Sequence, residues 1–168
     1  MSLQSLESLC RYESTDDINR ALVKHPLWMW RPGMWIEAGE DKTKAVIALC
    51  TSEGLRVHGL YGPHWFLYDD ISALHSGEEI TTYAVSKARL HLHPATQGLL
   101  IDRILHSDEV EEMALRKEGE NEFYVTLWFM GDRDVLKLDG KDVGTLLCCA
   151  LLEVMNLEMV NKSGAPSL

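Results

Sequence analysis

Residues 121–155, NEFYVTLWFMGDRDVLKLDGKDVGTLLCCALLEVM, change their hydrophobic period once, and that change decides the fold class. In 121–130, Phe123, Val125, Leu127 and Phe129 recur at every second position, the spacing that lines one face of a strand. GDRD then turns the chain into a shorter strand, Val135 to Leu138. After Asp139-Gly140 the period lengthens. Val143, Leu146, Leu147, Ala150, Leu151 and Val154 follow at i, i+3, i+4, i+7, i+8 and i+11, which is one stripe of a helix. Cys148, Cys149 and Leu152 make the opposite side apolar as well. A helix apolar nearly all round is buried on several sides or covered by a partner, so a homodimer through this helix is one expectation.

Working outward, the same two periods recur. Ser14-Thr15-Asp16-Asp17 supplies N-cap residues, and Ile18, Ala21 and Leu22 give a short apolar stripe that should stop before Pro26. PLWMWRPGMWIEAGE (26–40) reads as two aromatic-rich strands around Pro32-Gly33, with Trp28 and Trp30 on one and Met34 and Ile36 on its return. KAVIALCTSEGLRVHG (44–59) reads as a hairpin turning at Ser52-Glu53-Gly54, with a helix over 42–52 as the competing assignment. A short strand is expected at Trp65 to Tyr68. A long one, Thr81 to His93, should be closed by Pro94, with an apolar run to Leu105 after Gly98. SDEVEEMALRKEG (107–119) has helix grammar: a cap at Ser107 or Asp108, acids first, basics last, and Gly119 as a stop. Its apolar stripe is only Val110, Met113 and Ala114, so a strand paired with 121–130 stays open.

The sum is an α+β fold: a mainly antiparallel sheet of about six strands, an N-terminal helix, and a buried C-terminal helix packed on it. One domain over 1–160 with a frayed tail at 161–168 fits 168 residues. With 26 acidic and 16 basic residues, the charge of −10 repels phosphate backbones and anionic lipid, so neither nucleic acid nor membrane is an expected partner. A partner protein, among the candidates a basic one, is. Four cysteines without CxxC spacing, Cys10, Cys50, Cys148 and Cys149, read as thiols of a reducing, cytoplasmic compartment. The opening MSLQSLESLCRYESTDD lacks the pattern of a secretory signal, and no run of about 18 apolar residues is visible.

Chemistry is sparse. RLHLHP (89–94) places His91 and His93 two residues apart, a spacing that lets two imidazoles on a strand share one ion. No third ligand stands in register: the following positions hold Gln97 and Gly98, and nothing in the spacing selects His58, His64, His106 or Glu109. No metal and no cofactor is therefore expected. Ala84, Ala88, Leu90 and Leu92 alternate with Lys87, Arg89, His91 and His93, so the four polar residues form a basic row opposite an apolar one. Such a row is ordinarily the solvated face of an antiparallel sheet. Its functional reading is a surface for an anion or an acidic partner segment. Trp28, Trp30, Arg31 and Trp35 form a second candidate, a partner-binding aromatic patch, against the commoner fate of tryptophan as packing.

LHSGEE (74–79) and LHSDEV (105–110) evoke Ser/His chemistry, but Ser76 and Ser107 read better as helix caps, and no GxSxG elbow is present. Asp69-Asp70 and the acids at 108–112 do not alternate as a calcium loop does, and no glycine-rich phosphate motif occurs. No catalytic residue is assigned. The expected function is that of a non-enzymatic cytoplasmic interaction protein, in the manner of acidic adaptors, inhibitors or immunity-type proteins. The rival is a small enzyme or ligand-binding domain that holds an anionic small molecule on Lys87, Arg89, His91 and His93, with a histidine as acid or base.

Overall fold

The computed structural model describes residues 14–38, 42–59, 62–67, 82–85, 88–131 and 135–164. Two compact units divide the chain: Met1–Trp28 with Leu100–Leu168, and Met29–Leu99. The elements are α1 (Thr15–Lys24), β1 (Trp35–Ala38), β2 (Thr43–Cys50), β3 (Gly54–Gly59), β4 (Gly62–Leu67), β5 (Thr82–Ala84), β6 (Arg89–His91), α2 (Pro94–Leu105), β7 (Val110–Glu118), β8 (Glu122–Phe129), β9 (Leu136–Gly140) and α3 (Val143–Ser163). The class is α+β, with the described strands in two sheets of six and three. All pairings are antiparallel except β4 with β5.

The Met29–Leu99 unit holds the six-stranded sheet, in the order β5-β4-β3-β2-β1-β6. The β2–β3 hairpin forms where expected. The Thr51 hydroxyl accepts from the amides of Glu53 and Gly54, tying the turn that a competing helix would have to break. Leu55 and Val57 are buried while Arg56 and His58 are exposed, the two-residue period of a half-buried strand. On β2 the register shifts between Ile47 and Leu49, leaving both Ala48 and Leu49 exposed. Trp30, Met34, Ile36, Ala45, Ile47, Leu55, Val57, Ala88 and Leu90 are this unit's buried apolar residues among those described.

Three expectations for the larger sheet are corrected. Residues 28–31 are not a strand: the Trp28 amide donates to the His25 carbonyl at 2.9 Å, so the chain is still turning away from α1. The ladder begins only after Pro32-Gly33, where Gly33 takes φ +91° and donates to the Ile47 carbonyl at 2.8 Å. Thr81 to His93 is not one strand either. Its two ends pair with opposite edges of the sheet, β5 with β4 and β6 with β1. Finally, Pro94 does not merely stop a strand. It opens α2 at the one helical turn that has no use for its missing N–H.

The other unit carries β7-β8-β9 with α1 and α3. Residues 110–118 are strand, not helix. Their caps and end charges support a helix weakly, whereas pairing with β8, from Val110↔Phe129 to Glu118↔Glu122, satisfies the backbone groups on the side that faces it. Val125 and Leu127 of β8 are fully buried, as are Leu147 and Val154 of α3, so the two stripes read from sequence are the two sides of one core. The helix packs on α1, β8 and β9. Thr15 meets Thr145 at 3.3 Å and His25 meets Asn156 at 3.2 Å, so α1 runs alongside α3 in the same direction. Ser14 caps α1 by accepting from the Asp17 amide, and Asp142 caps α3 by accepting from that of Thr145.

Val143–Ser163 is long and apolar enough, by length and composition, to cross a membrane, and 56% of its most apolar window is buried inside the protein. Leu146 to Leu152 are buried, while Met159 and Val160 near the helix end are exposed.

Candidate interaction site on the outer sheet face

The outer face of the six-stranded sheet is assembled by pairing, not by any one segment. Across β6, β1 and β2 the partners are Arg89↔Glu37↔Lys44 in one row and His91↔Trp35↔Val46 in the next. His58 of β3 continues the second row opposite Val46, and Arg56 lies further along opposite Leu49. Arg89, Lys44, Arg56 and His58 are exposed. Three cations thus share one face with a single described carboxylate, Glu37, in a chain of net charge −10.

The histidines of RLHLHP have different fates. His91 lies on β6 with Arg89, and its Nδ1 is 3.1 Å from Glu37 Oε1, both side chains 23% exposed. Burial and the nearby Lys44 charge hold its pKa below the ordinary histidine value, with His93 adding to this and Glu37 opposing it. The imidazole is therefore mainly neutral near pH 7, donating its Nδ1 proton to Glu37. His93 lies beyond the strand. Its ring stacks on Trp35 with centroids 4.5 Å apart, and its Nδ1 accepts from the Ala95 amide at 3.2 Å. It caps the first turn of α2, a structural task. The two imidazole centroids are 6.4 Å apart, and among the described residues no group of three His, Cys, Asp or Glu gathers that could hold a metal ion.

Lys87 lies outside the described residues, so the four-residue row is represented by Arg89 and His91 on the strand and His93 past its end. Of the aromatic patch, Trp30 is buried, while Arg31 and Trp35 are half-buried. Trp28 is half-buried and belongs to the other unit. Trp35 is anchored at both ends, by His93 on its ring and by its amide donating to Thr96 Oγ1 at 2.8 Å. Thr96 is fully buried. Among the remaining candidates, His106 pairs locally with Asp102 at 3.2 Å. Ser107 does not cap a helix: its hydroxyl donates to Glu158 and accepts from the Glu109 amide. Ser76 and Asp69-Asp70 fall outside the described residues.

The described thiols are poor nucleophiles. Burial raises Cys50 and Cys148, and burial with the Glu153 charge pushes Cys149 up to about 11. Glu37, Lys44, Arg56 and Thr96 escaped the reading of the sequence. The Trp35–Thr96 contact spans 61 residues, and no local period reports such a pairing. Only the alternation in 55–58 hinted that Arg56 and His58 share a face.

The His91–Glu37 pair has a measurable signature. Its folded pKa lies below the unfolded value of 6.5, so between the two the unfolded chain binds a proton that the folded chain refuses. The associated stability is complete above pH 6.5 and is lost as pH falls from there to the folded pKa. Urea midpoints measured from about pH 7.5 down to about pH 5.5 should fall, and His91→Gln should flatten that fall. An equally steep fall in the variant would assign the proton elsewhere.

No protein-family model, no curated protein and no solved structure matches this chain.

Proposed function

We propose that this chain is a non-enzymatic interaction protein, and that a partner docks on the outer face of the six-stranded sheet. One observation carries the reading: Lys44, Arg56 and Arg89 are exposed on a single face with His58, while His91 and His93 beside them are engaged with Glu37 and with the cap of α2. Leu49, 48% exposed, and the half-buried Val46 and Trp35 add apolar area between the charges. Cations around apolar ground are the composition of a protein-binding surface.

The partner that fits is acidic where it meets these three cations. The unit made of 1–28 and 100–168 carries eighteen acidic and ten basic residues, and its surface suits a basic partner instead. The −10 charge and the raised thiols are consistent with a reducing, cytoplasmic setting, which belongs to the same proposal.

The test compares the parent with Arg89→Ala and with Arg56→Glu/Arg89→Glu as baits in the native host's lysate. A specific partner protein should be captured by the parent, less by Arg89→Ala, and at least about tenfold less by the charge-reversed pair. The unfolding free energy of Arg89→Ala should stay within about 0.5 kcal/mol of the parent, because this side chain is exposed, and circular dichroism checks that the double variant folds. Equal capture by all three sinks the reading. Co-purification of a small anion alone would move the face to ligand binding.

A further inference from the structure

We propose that two copies of this chain pair through β7, antiparallel about a two-fold axis at Ala114, joining their three-stranded sheets into one of six strands. This surface is separate from the face discussed above, and the proposal does not depend on that reading. The strand is nine residues long and lies at an edge of its sheet, with β8 on one side and no described strand on the other. From Leu115 to Glu118 it is exposed throughout, and Leu115, a large apolar side chain, is 43% exposed. An edge of this length offers backbone donors and acceptors to another chain unless charge forbids the match.

Here charge selects one match. A strand pairing with its own copy about a two-fold axis perpendicular to the sheet places residues symmetrically around one central residue. Centred on Ala114, VEEMALRKE sets Glu112 opposite the partner's Arg116 and Met113 opposite the partner's Leu115. Lys117 falls opposite the partner's Glu111, the extra residue at the register shift between Val110 and Glu112. Val110 falls opposite the partner's Glu118, the one unmatched pair of this register, and symmetry doubles every pair. Opposite-charge and apolar cross-strand pairs are the units that stabilise a sheet, and like charges opposite each other oppose it. Centring on Leu115 would set Glu112 against the partner's Glu118. Centring on Met113 leaves Glu112 facing alanine and Arg116 facing valine. Among the described residues, neither Glu112 nor Arg116 makes an ion pair within its own chain. Glu112, Ala114 and Arg116 share one face of the strand, and Met113 and Leu115 share the other with Val125 and Leu127 of β8. The pairing therefore matches charges on the open face and extends the apolar floor on the packed one.

Sedimentation or light scattering of the full chain over a concentration series reads the assembly. The parent should form a dimer. Glu112→Arg should raise the dissociation constant at least about tenfold, because it opposes cations on both sides of the axis. Glu112→Arg with Arg116→Glu, which exchanges the charges, should restore dimerisation. Circular dichroism checks that each variant folds. Opposed Cα atoms in an antiparallel pair are about 4.5–5.5 Å apart, within disulfide reach. Ala114→Cys should therefore yield a disulfide-linked dimer under mild oxidation that the parent does not form. A parent monomeric at every concentration overturns the proposal. So does a dimer indifferent to Glu112→Arg, a charge exchange that fails to rescue, or no cross-link through position 114.

Discussion

Replacing Leu147 with alanine should lower the unfolding free energy by about 2–5 kcal/mol, the cost of deleting a large buried side chain that its neighbours cannot replace. Leu147 is fully buried in the first half of α3, within a run from Leu146 to Leu152 that is buried at every position. The helix is gripped from more than one direction, by α1 and by the strands β8 and β9. Relaxing one of these contacts toward a cavity would pull on the others, so the site collapses poorly. The Thr15–Thr145 and His25–Asn156 contacts further fix α1 along α3. Urea unfolding read by fluorescence and by circular dichroism measures the loss. A change below about 1 kcal/mol would mean that the core closes over the gap, and that α3 is held less rigidly than its burial indicates.

The second large effect is expected at Glu158. Its carboxylate takes two hydrogen bonds from the Arg103 guanidinium, at 3.0 and 2.7 Å, and one from the Ser107 hydroxyl at 2.6 Å. Paired, two-pronged contacts of this kind are among the stronger hydrogen bonds in proteins. They tie the last turns of α2 and the approach to β7 onto the far half of α3. Burial alone would raise the Glu158 pKa, but the bonds from Arg103 and Ser107 and the charges of Arg103 and Lys162 together hold it below the ordinary value. Glu158→Gln should cost about 1.5–3 kcal/mol at neutral pH, the range for a hydrogen bond to a charged group. The upper part of that range is tempered by solvent, since Arg103 is 29% and Glu158 12% exposed.

The pH dependence has a definite sign. A carboxyl whose folded pKa is depressed contributes fully above its unfolded value, 4.5 here, and the contribution disappears as pH falls through the folded pKa. The difference between parent and Glu158→Gln should therefore be constant above about pH 5 and narrow below it. A difference that did not shrink in acid would mean that the glutamine loses shape complementarity and not charge. The window is separate from that of His91, which acts nearer neutral pH, so the two variants can be told apart by pH alone.

The elements most legible in the sequence are those whose signal is local and whose partner merely agrees with it. The periods of 123–129 and 143–154 named β8 and α3 and the faces they bury. Ser14 announced α1, and the polar turn before Gly54 announced the β2–β3 hairpin. Misreadings fell where one residue serves two grammars. Pro94 ends a ladder and equally begins a helix. Ser107-Asp108 with basic residues downstream resembles a helix, yet 110–118 has β8 beside it to take the backbone bonds of one side. The basic row on 87–93 was half visible: Arg89 and His91 share a face, while His93 left the strand to cap α2.

The sequence by itself determined the α+β class, the apolar stripes, the absence of complete catalytic or phosphate-binding motifs, and the excess of negative charge. Each is a property of neighbours along the chain or of composition, which periodicity and counting report directly. Only the tertiary structure decided which strands pair. It set β6 beside β1, and so gave His91 the carboxylate of Glu37 and put Arg89, Lys44 and Arg56 on one face. It left β7 at an edge with Glu112 and Arg116 symmetric about Ala114. Pairing between distant strands depends on which partner satisfies a backbone and buries a face at once, a global choice that no window of residues contains.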